Sequence, residues 1–220
     1  MNYNFDFNVI LRNIDGLLGG LGLALLLAVF SLSIGVIIGL FAAFAAISRK
    51  PQLRALMIAY TTVVRNTPLL ILIYISYFGL PLIGITFDRE VAFVITLSLC
   101  AGAYMLDVFR AGLQAIPPGL IEAGQALGLR RSQIRMTIQL PMMIRNVLPS
   151  VSNYLISLFK DTSLASAIAI PELTYQANKI TTETFRVFEA WITVGLIYLG
   201  TCYLLAFVLR RIERKLAIAR

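Results

Sequence analysis

The chain of 220 residues is 59% hydrophobic and 14% charged, with a mean hydropathy of +0.83. A soluble domain has about 45–50% apolar and about 25% charged residues, so an ordinary water-soluble fold is excluded. The net charge of +8 comes from basic residues gathered at the ends of apolar segments, a pattern that suits membrane lipid and argues against a nucleic-acid partner; the absence of histidine excludes a His-based metal site or proton relay.

Residues 1–16 hold two acids and one arginine, Arg12, ahead of the first apolar run. A signal peptide needs a basic start and a short apolar core, so the run is a retained span and 1–16 an external segment. A spanning helix takes about 20 mostly apolar residues. Five spans are predicted, about 17–47, 55–80, 91–113, 142–168 and 190–209, giving an all-α membrane domain over 17–215 with a short tail at 216–220. The first is uncharged from Gly16 to Ser48 and has small residues at Ser31, Gly35, Gly39 and Ala43. Such a stripe permits close helix packing in lipid, against another span or another subunit.

The second span holds Arg65, Asn66 and Thr67 ahead of Pro68. Proline breaks a helix ladder, and broken helices at depth line substrate sites; equally, Arg65 can snorkel to the cytoplasmic face. In the third span Asp107 and Arg110 are one turn apart and neutralise each other, which favours a structural role. Cys100 and Cys202 fall in different apolar runs and read as small buried hydrophobes.

A short polar helix is predicted at 119–128. Pro117 and Pro118 suit its start, Glu122 lies near the positive end of its dipole, and Gly128 suits its C-terminal cap. Leu120, Ala123, Gly124 and Leu127 fall at i, i+3, i+4 and i+7 and form one face. Two readings stand beside each other: a helix lying on headgroups with Arg130, Arg131 and Arg135 on anionic lipid, and a helix docked in a protein groove. Small Ala and Gly are poor membrane anchors and favour the groove.

The fourth span is only modestly apolar, with Ser150, Ser152, Asn153, Ser157, Thr162 and Ser163. Against lipid this is unfavourable, and against a water-filled path it is reasonable. Lys160 and Asp161 either line that path or mark its outer mouth. Adjacent residues point about 100° apart on a helix, so the two should not pair. Thirteen basic residues fall in the segments 49–54, 110–145 and 210–220, against four (Arg12, Arg89, Lys179 and Arg186) on the other side. The positive-inside rule puts the N-terminus outside and the C-terminus in the cytoplasm.

The order E-A-x-x-x-L-G, then I-x-L-P, formed by Glu122, Ala123, Leu127, Gly128, Ile138, Leu140 and Pro141, resembles the cytoplasmic loop of ATP-binding-cassette importer permeases. "RNTPLLILIYISYFGLP", "AYMLDVFRAGLQAIPPG" and "LFKDTSLASAIAIPEL" resemble its polar amino-acid branch, with Gly124 where alanine is usual, Asn66 where glycine is frequent and Asp107 where glutamate is frequent. The resemblance extends from about Leu17 to Lys215. It implies that 119–128 is a coupling helix docking on a separate ATPase. It further implies a second permease subunit, an external substrate-binding protein and an amino-acid substrate at a bacterial inner membrane. The candidate coupling residues are then Leu120, Glu122, Ala123, Gly124, Leu127 and Gly128. The candidate path residues are Arg65, Asn66, Thr67, Asn153, Ser157, Lys160 and Asp161.

The chain itself should carry no cofactor and no catalytic site. Gly119 and Gly124 have phosphate-loop glycine spacing, but Gln125 and Ala126 follow where Lys and Ser or Thr are needed, so ATP and Mg would sit on the partner. A secondary transporter or channel would show an internal repeat or midplane coupling carboxylates, and neither is present; a non-transporting scaffold is the remaining rival.

Overall fold

A computed structural model describes residues 3–48 and 50–217. Of the predicted features, Met1 and Asn2 of the external segment, the basic Arg49, and 218–220 of the tail with Arg220 lie outside the described residues. Every regular element among those described is helical.

A single turn, α1 (Asn8–Arg12), precedes α2 (Ile14–Ala46), which matches the first predicted span. Its small-residue stripe faces α5 (Arg89–Gln114), which corresponds to the third. A Cβ on Gly35 would lie 2.4 Å from that of Ala101, and one on Gly39 would lie 2.4 Å from that of Met105. The seam therefore belongs to this chain. Lipid tails are as apolar as leucine, so helices associate through van der Waals contact rather than hydrophobic expulsion, and glycine lets the two backbones approach. Leu32, Ala43, Phe93, Leu97, Ala101 and Met105 fill this contact. Partner positions rise together along both helices, so α2 and α5 run parallel.

Between them the second predicted span, 55–80, is not one straight helix but breaks at the proline that the sequence singled out. It is α3 (Pro51–Asn66) followed by α4 (Leu69–Tyr74), bent by 105° at Thr67–Pro68. Thr67 is extended at φ −102° and ψ 130°, as expected before a proline, whose ring disfavours the helical region for its predecessor. Beyond α4 comes a π turn (Ile75–Gly79) and a 3-10 turn (Leu80–Ile83).

After α5 come α6 (Pro118–Ala126), α7 (Arg131–Ile134), a π turn (Arg135–Gln139), α8 (Leu140–Asp161), a 3-10 turn (Thr162–Ile168), α9 (Leu173–Thr184) and α10 (Val187–Ala217). Both π turns have one cause. A proline clashes with the carbonyl four residues back. Pro81 and Pro141 place that carbonyl at residues 77 and 137, the centres of the two turns, where widening relieves the clash.

α8 runs antiparallel to α5: Gly112 meets Val147, and the Tyr104 ring stacks on Tyr154 with centroids 4.2 Å apart. Its far end reaches α2 and α10 through Phe159, which packs with Ala24, Ala28 and Tyr198. Among the described residues three helices are long and apolar enough to cross a bilayer (α2, α5 and α10), and a fourth if the bent pair is taken as one. α8 falls short because its exposed stripe is polar.

The connectivity sorts the helix ends into two sets. One holds the start of α2, the turns after α4, α9, and the start of α10. There Asn4 and Asp6 join Arg186 and Glu189, and Arg89 donates to the Ala169 carbonyl at 2.8 Å. The opposite set holds the ends of α2, α5 and α10 together with α6 and α7.

Candidate functional site

Helix α6 starts with Pro117 as its N-cap and Pro118 as its first residue. Glu122 is thus its fifth residue, exposed and past the first turn. The dipole's effect fades beyond that turn, so Glu122 does not serve the helix start as the sequence suggested. The C-terminus is a complete Schellman motif: Gly128 N–H donates to Gln125 at 2.9 Å, and Leu129 N–H donates to Gly124 at 3.1 Å. Gly128 has φ 76°, a left-handed conformation that favours glycine.

The predicted face of α6 is divided. Leu120 and Ala123 are exposed, and Leu127 is 81% exposed. Gly124 is buried and turns inward: a Cβ there would lie 3.0 Å from Ile138 Cδ1 and 3.3 Å from Ile134 Cγ1. The glycine seats α6 on the following α7 and π turn, leaving Leu120, Ala123, Glu122 and Leu127 for an outside surface.

Asp107 bridges two cations. It pairs with Arg110 at 3.3 Å, as its spacing suggested, and also with Arg65 of α3. The second contact ties the first arm of the broken helix to α5 and spans 42 positions in sequence, beyond the reach of any local pattern. Arg65 also stands between two grooves. One, of about 400 Å³, is lined by Arg65, Tyr104, Asp107, Gly112, Asn146 and Ser150 among others. The smaller, of about 280 Å³, is lined by Thr61, Thr62, Arg65 and Asn66. Asn66 and Thr67 turn their side chains back to the carbonyls of Thr62, at 2.7 Å, and Val63, at 2.8 Å.

Along α8, Asn146, Asn153, Ser157 and Lys160 are exposed and Ser150 is half-buried. Their spacing of four, three, four and three residues keeps them on one face. The stripe begins in the groove beside Arg65 and ends at Lys160, about 21 Å away at 1.5 Å per residue. The candidate path residues are therefore spread along α8 rather than gathered in one cluster, with Arg65 by the groove at one end, Asn153 midway, and Ser157, Lys160 and Asp161 towards the other end. Asp161 is half-buried beside the stripe, and among the described residues no ion pair joins it to Lys160. Sequence reasoning missed Tyr104 and Asn146 as groove residues, although the alternation from Asn146 to Lys160 is readable without a structure.

Residues 35–218 match the model of a family described as binding-protein-dependent transport system inner membrane component. The chain belongs to this permease family. It is 35% identical over 216 residues to the glutamine transport system permease protein of Escherichia coli K12, covering 97% of this permease and 99% of that one. It is 35% identical over 214 residues to the arginine transport system permease protein of Bacillus subtilis, covering 97% and 98%. A solved amino acid ABC transporter with histidines superposes with a TM-score of 0.90 at 31% identity, covering 97% of this permease and 100% of that chain. A methionine ABC transporter shares the fold, with a TM-score of 0.72 at 22% identity. This permease is a membrane subunit of an ATP-driven importer.

Proposed function

We propose that this permease carries polar amino acids inward as half of a pore. Five membrane crossings are formed by α2, the bent α3–α4 pair, α5, α8 with its 3-10 extension, and α10. A second permease subunit, identical or homologous, completes the pore. Separate ATPase subunits bind ATP and Mg, and an external binding protein delivers the solute. Its N-terminus is outside the cell and its C-terminus in the cytoplasm.

The observation that carries this reading is the polar stripe of α8, from Asn146 to Lys160. Exposed amide, hydroxyl and ammonium groups at membrane depth are costly against lipid but not against water or a polar solute. Each end of the stripe has a cation, Arg65 at one and Lys160 at the other, suited to a substrate carboxylate. At the base of the permease, α6 offers Leu120, Ala123 and Leu127 as an apolar coupling surface for the ATPase, with Glu122 exposed among them. When ATP binding moves the ATPase, the seating of Gly124 on Ile134 and Ile138 passes that motion through α7 into α8.

The test is reconstitution of this permease with the subunits encoded beside it. Uptake and ATP hydrolysis are measured against glutamine, arginine, histidine and cystine. Stimulation of both by at least one amino acid and its binding protein is expected; uptake driven by an ion gradient without ATP would overturn the reading.

A further inference from the structure

We propose that the far end of α10 carries a binding site for an anionic phospholipid, formed by Tyr203, Phe207, Arg210, Arg211 and Arg214. A concavity of about 200 Å³ lies among these side chains and Ala206, larger than the roughly 150 Å³ that holds a benzene-sized ligand in a protein. Its floor is apolar and its rim is cationic, the polarity of an acyl chain joined to a phosphate.

Three observations commit the site to lipid. First, Tyr203 is 76% exposed and Phe207 about half exposed, and both lie on a continuous apolar surface with Leu196, Leu199 and Leu204. Cys202 and Leu205 pack instead with Phe159 on the other side of the helix. Second, apolar sequence ends at Leu209 and charge begins at Arg210, so the rings sit at the edge of the hydrocarbon and the guanidinium groups at headgroup depth, the usual interfacial arrangement. Third, Arg210, Arg211, Arg214 and Lys215 fall within six residues beside one acid, Glu213. Among the described residues none of them is in an ion pair. The Arg211 guanidinium is held over the Phe207 ring at 4.6 Å, so one phosphate ligand is positioned in advance. A basic cluster next to a spanning helix attracts anionic headgroups, and here an apolar floor is available for the chain that follows. An acidic protein surface would use the rim but leave the floor empty.

The test uses the full chain in nanodiscs of equal parts phosphatidylglycerol and phosphatidylcholine, released for native mass spectrometry. The unaltered chain should retain phosphatidylglycerol preferentially. Combined Arg210→Gln, Arg211→Gln and Arg214→Gln should remove the preference, at about fivefold per guanidinium, whereas Arg130→Gln with Arg131→Gln should leave it intact. If a thermal melt shows the triple variant misfolded, Arg214→Gln alone should still lower retention about fivefold. Equal retention by unaltered and altered chains overturns the site. Displacement of the lipid by soluble glycerol phosphate or inorganic phosphate overturns its assignment to lipid, and so does a triple variant that keeps its lipid but loses a protein partner.

Discussion

Glu172 has no exposed surface, and among the described residues no cation pairs with it. It caps α9 by accepting from the N–H groups of Thr174 and Tyr175, each at 2.8 Å, and it also accepts from the Tyr198 hydroxyl at 3.2 Å. Burial pushes its carboxyl from 4.5 up to about 7, because these donors only partly offset the loss of water. The unfolded chain releases this proton near its ordinary value, while the folded chain holds it up to about 7. Between those limits the folded state binds more protons, so stability should fall as pH rises through the window. The melting temperature in detergent should therefore drop from about pH 5 to about pH 8, and Glu172→Gln should flatten that slope; parallel slopes would refute the assignment. A second residue-scale expectation concerns α6. Gly124→Ala meets only the mobile tips of Ile134 and Ile138 and should be tolerated, whereas Gly124→Leu overpacks the contact at about 1–3 kcal/mol and should lower the melting temperature of the chain without any partner. Leu127→Glu should leave that temperature unchanged and abolish ATPase co-purification. A loss of co-purification for Gly124→Leu with an unchanged melt would return Gly124 to the outer face. Helical spacing put Leu120, Ala123, Gly124 and Leu127 together because it fixes a face, but not how much of that face the chain's own next turn covers.

At the scale of elements, local chemistry was most readable where it is backbone chemistry. Pro68 announced the break between α3 and α4, and Gly128 the end of α6, because their constraints act within a few residues. The 105° angle between the arms was not readable, since it depends on what α3 meets, including the Arg65–Asp107 contact across 42 positions. The small-residue stripe of α2 was visible, but its partner was not, because a glycine seam carries no address. The structure supplies that address and a test. Gly35→Leu or Gly39→Leu would force a side chain into the α5 backbone and should abolish recovery of monodisperse protein on size exclusion, while Gly22→Leu, with open space around its Cβ position, should be recovered normally. Normal recovery of all three would mean that α2 and α5 do not pack through this seam. Along α8, neighbouring residues should separate function from folding. Ser152 is buried and Asn153 exposed on the stripe, so Ser152→Trp should disrupt assembly, whereas Asn153→Trp should leave the assembled importer intact and block uptake. Normal transport by Asn153→Trp would move the solute path off this face.

For the whole molecule, the question is which side of the membrane each end of the bundle occupies. The seam answers half of it. Because Gly35 meets Ala101 and Gly39 meets Met105, α2 and α5 point the same way, and the chain between them must return across the bundle, as the bent α3–α4 pair does. Because Gly112 meets Val147, α8 runs back again. The end of α2, the α6–α7 segment and the end of α10 then share a side, and that side has the basic residues at 50–54, 130–145 and 210–215, with far fewer at the other. For the other half, the positive-inside rule would keep that side in the cytoplasm, the orientation proposed above. Composition alone had grouped these charges; helix packing brings them to one end by an independent route. With Cys100 and Cys202 replaced by alanine, single cysteines at Asn13, Phe87 or Glu183 should react with an impermeant thiol reagent in intact cells, and one at Ser132 should react only after the membrane is opened. Ser132 is exposed on α7, so burial cannot hide it from the reagent. Labelling at Ser132 in intact cells, with silence at the other three, would invert the molecule and remove α6 from any contact with a cytoplasmic ATPase.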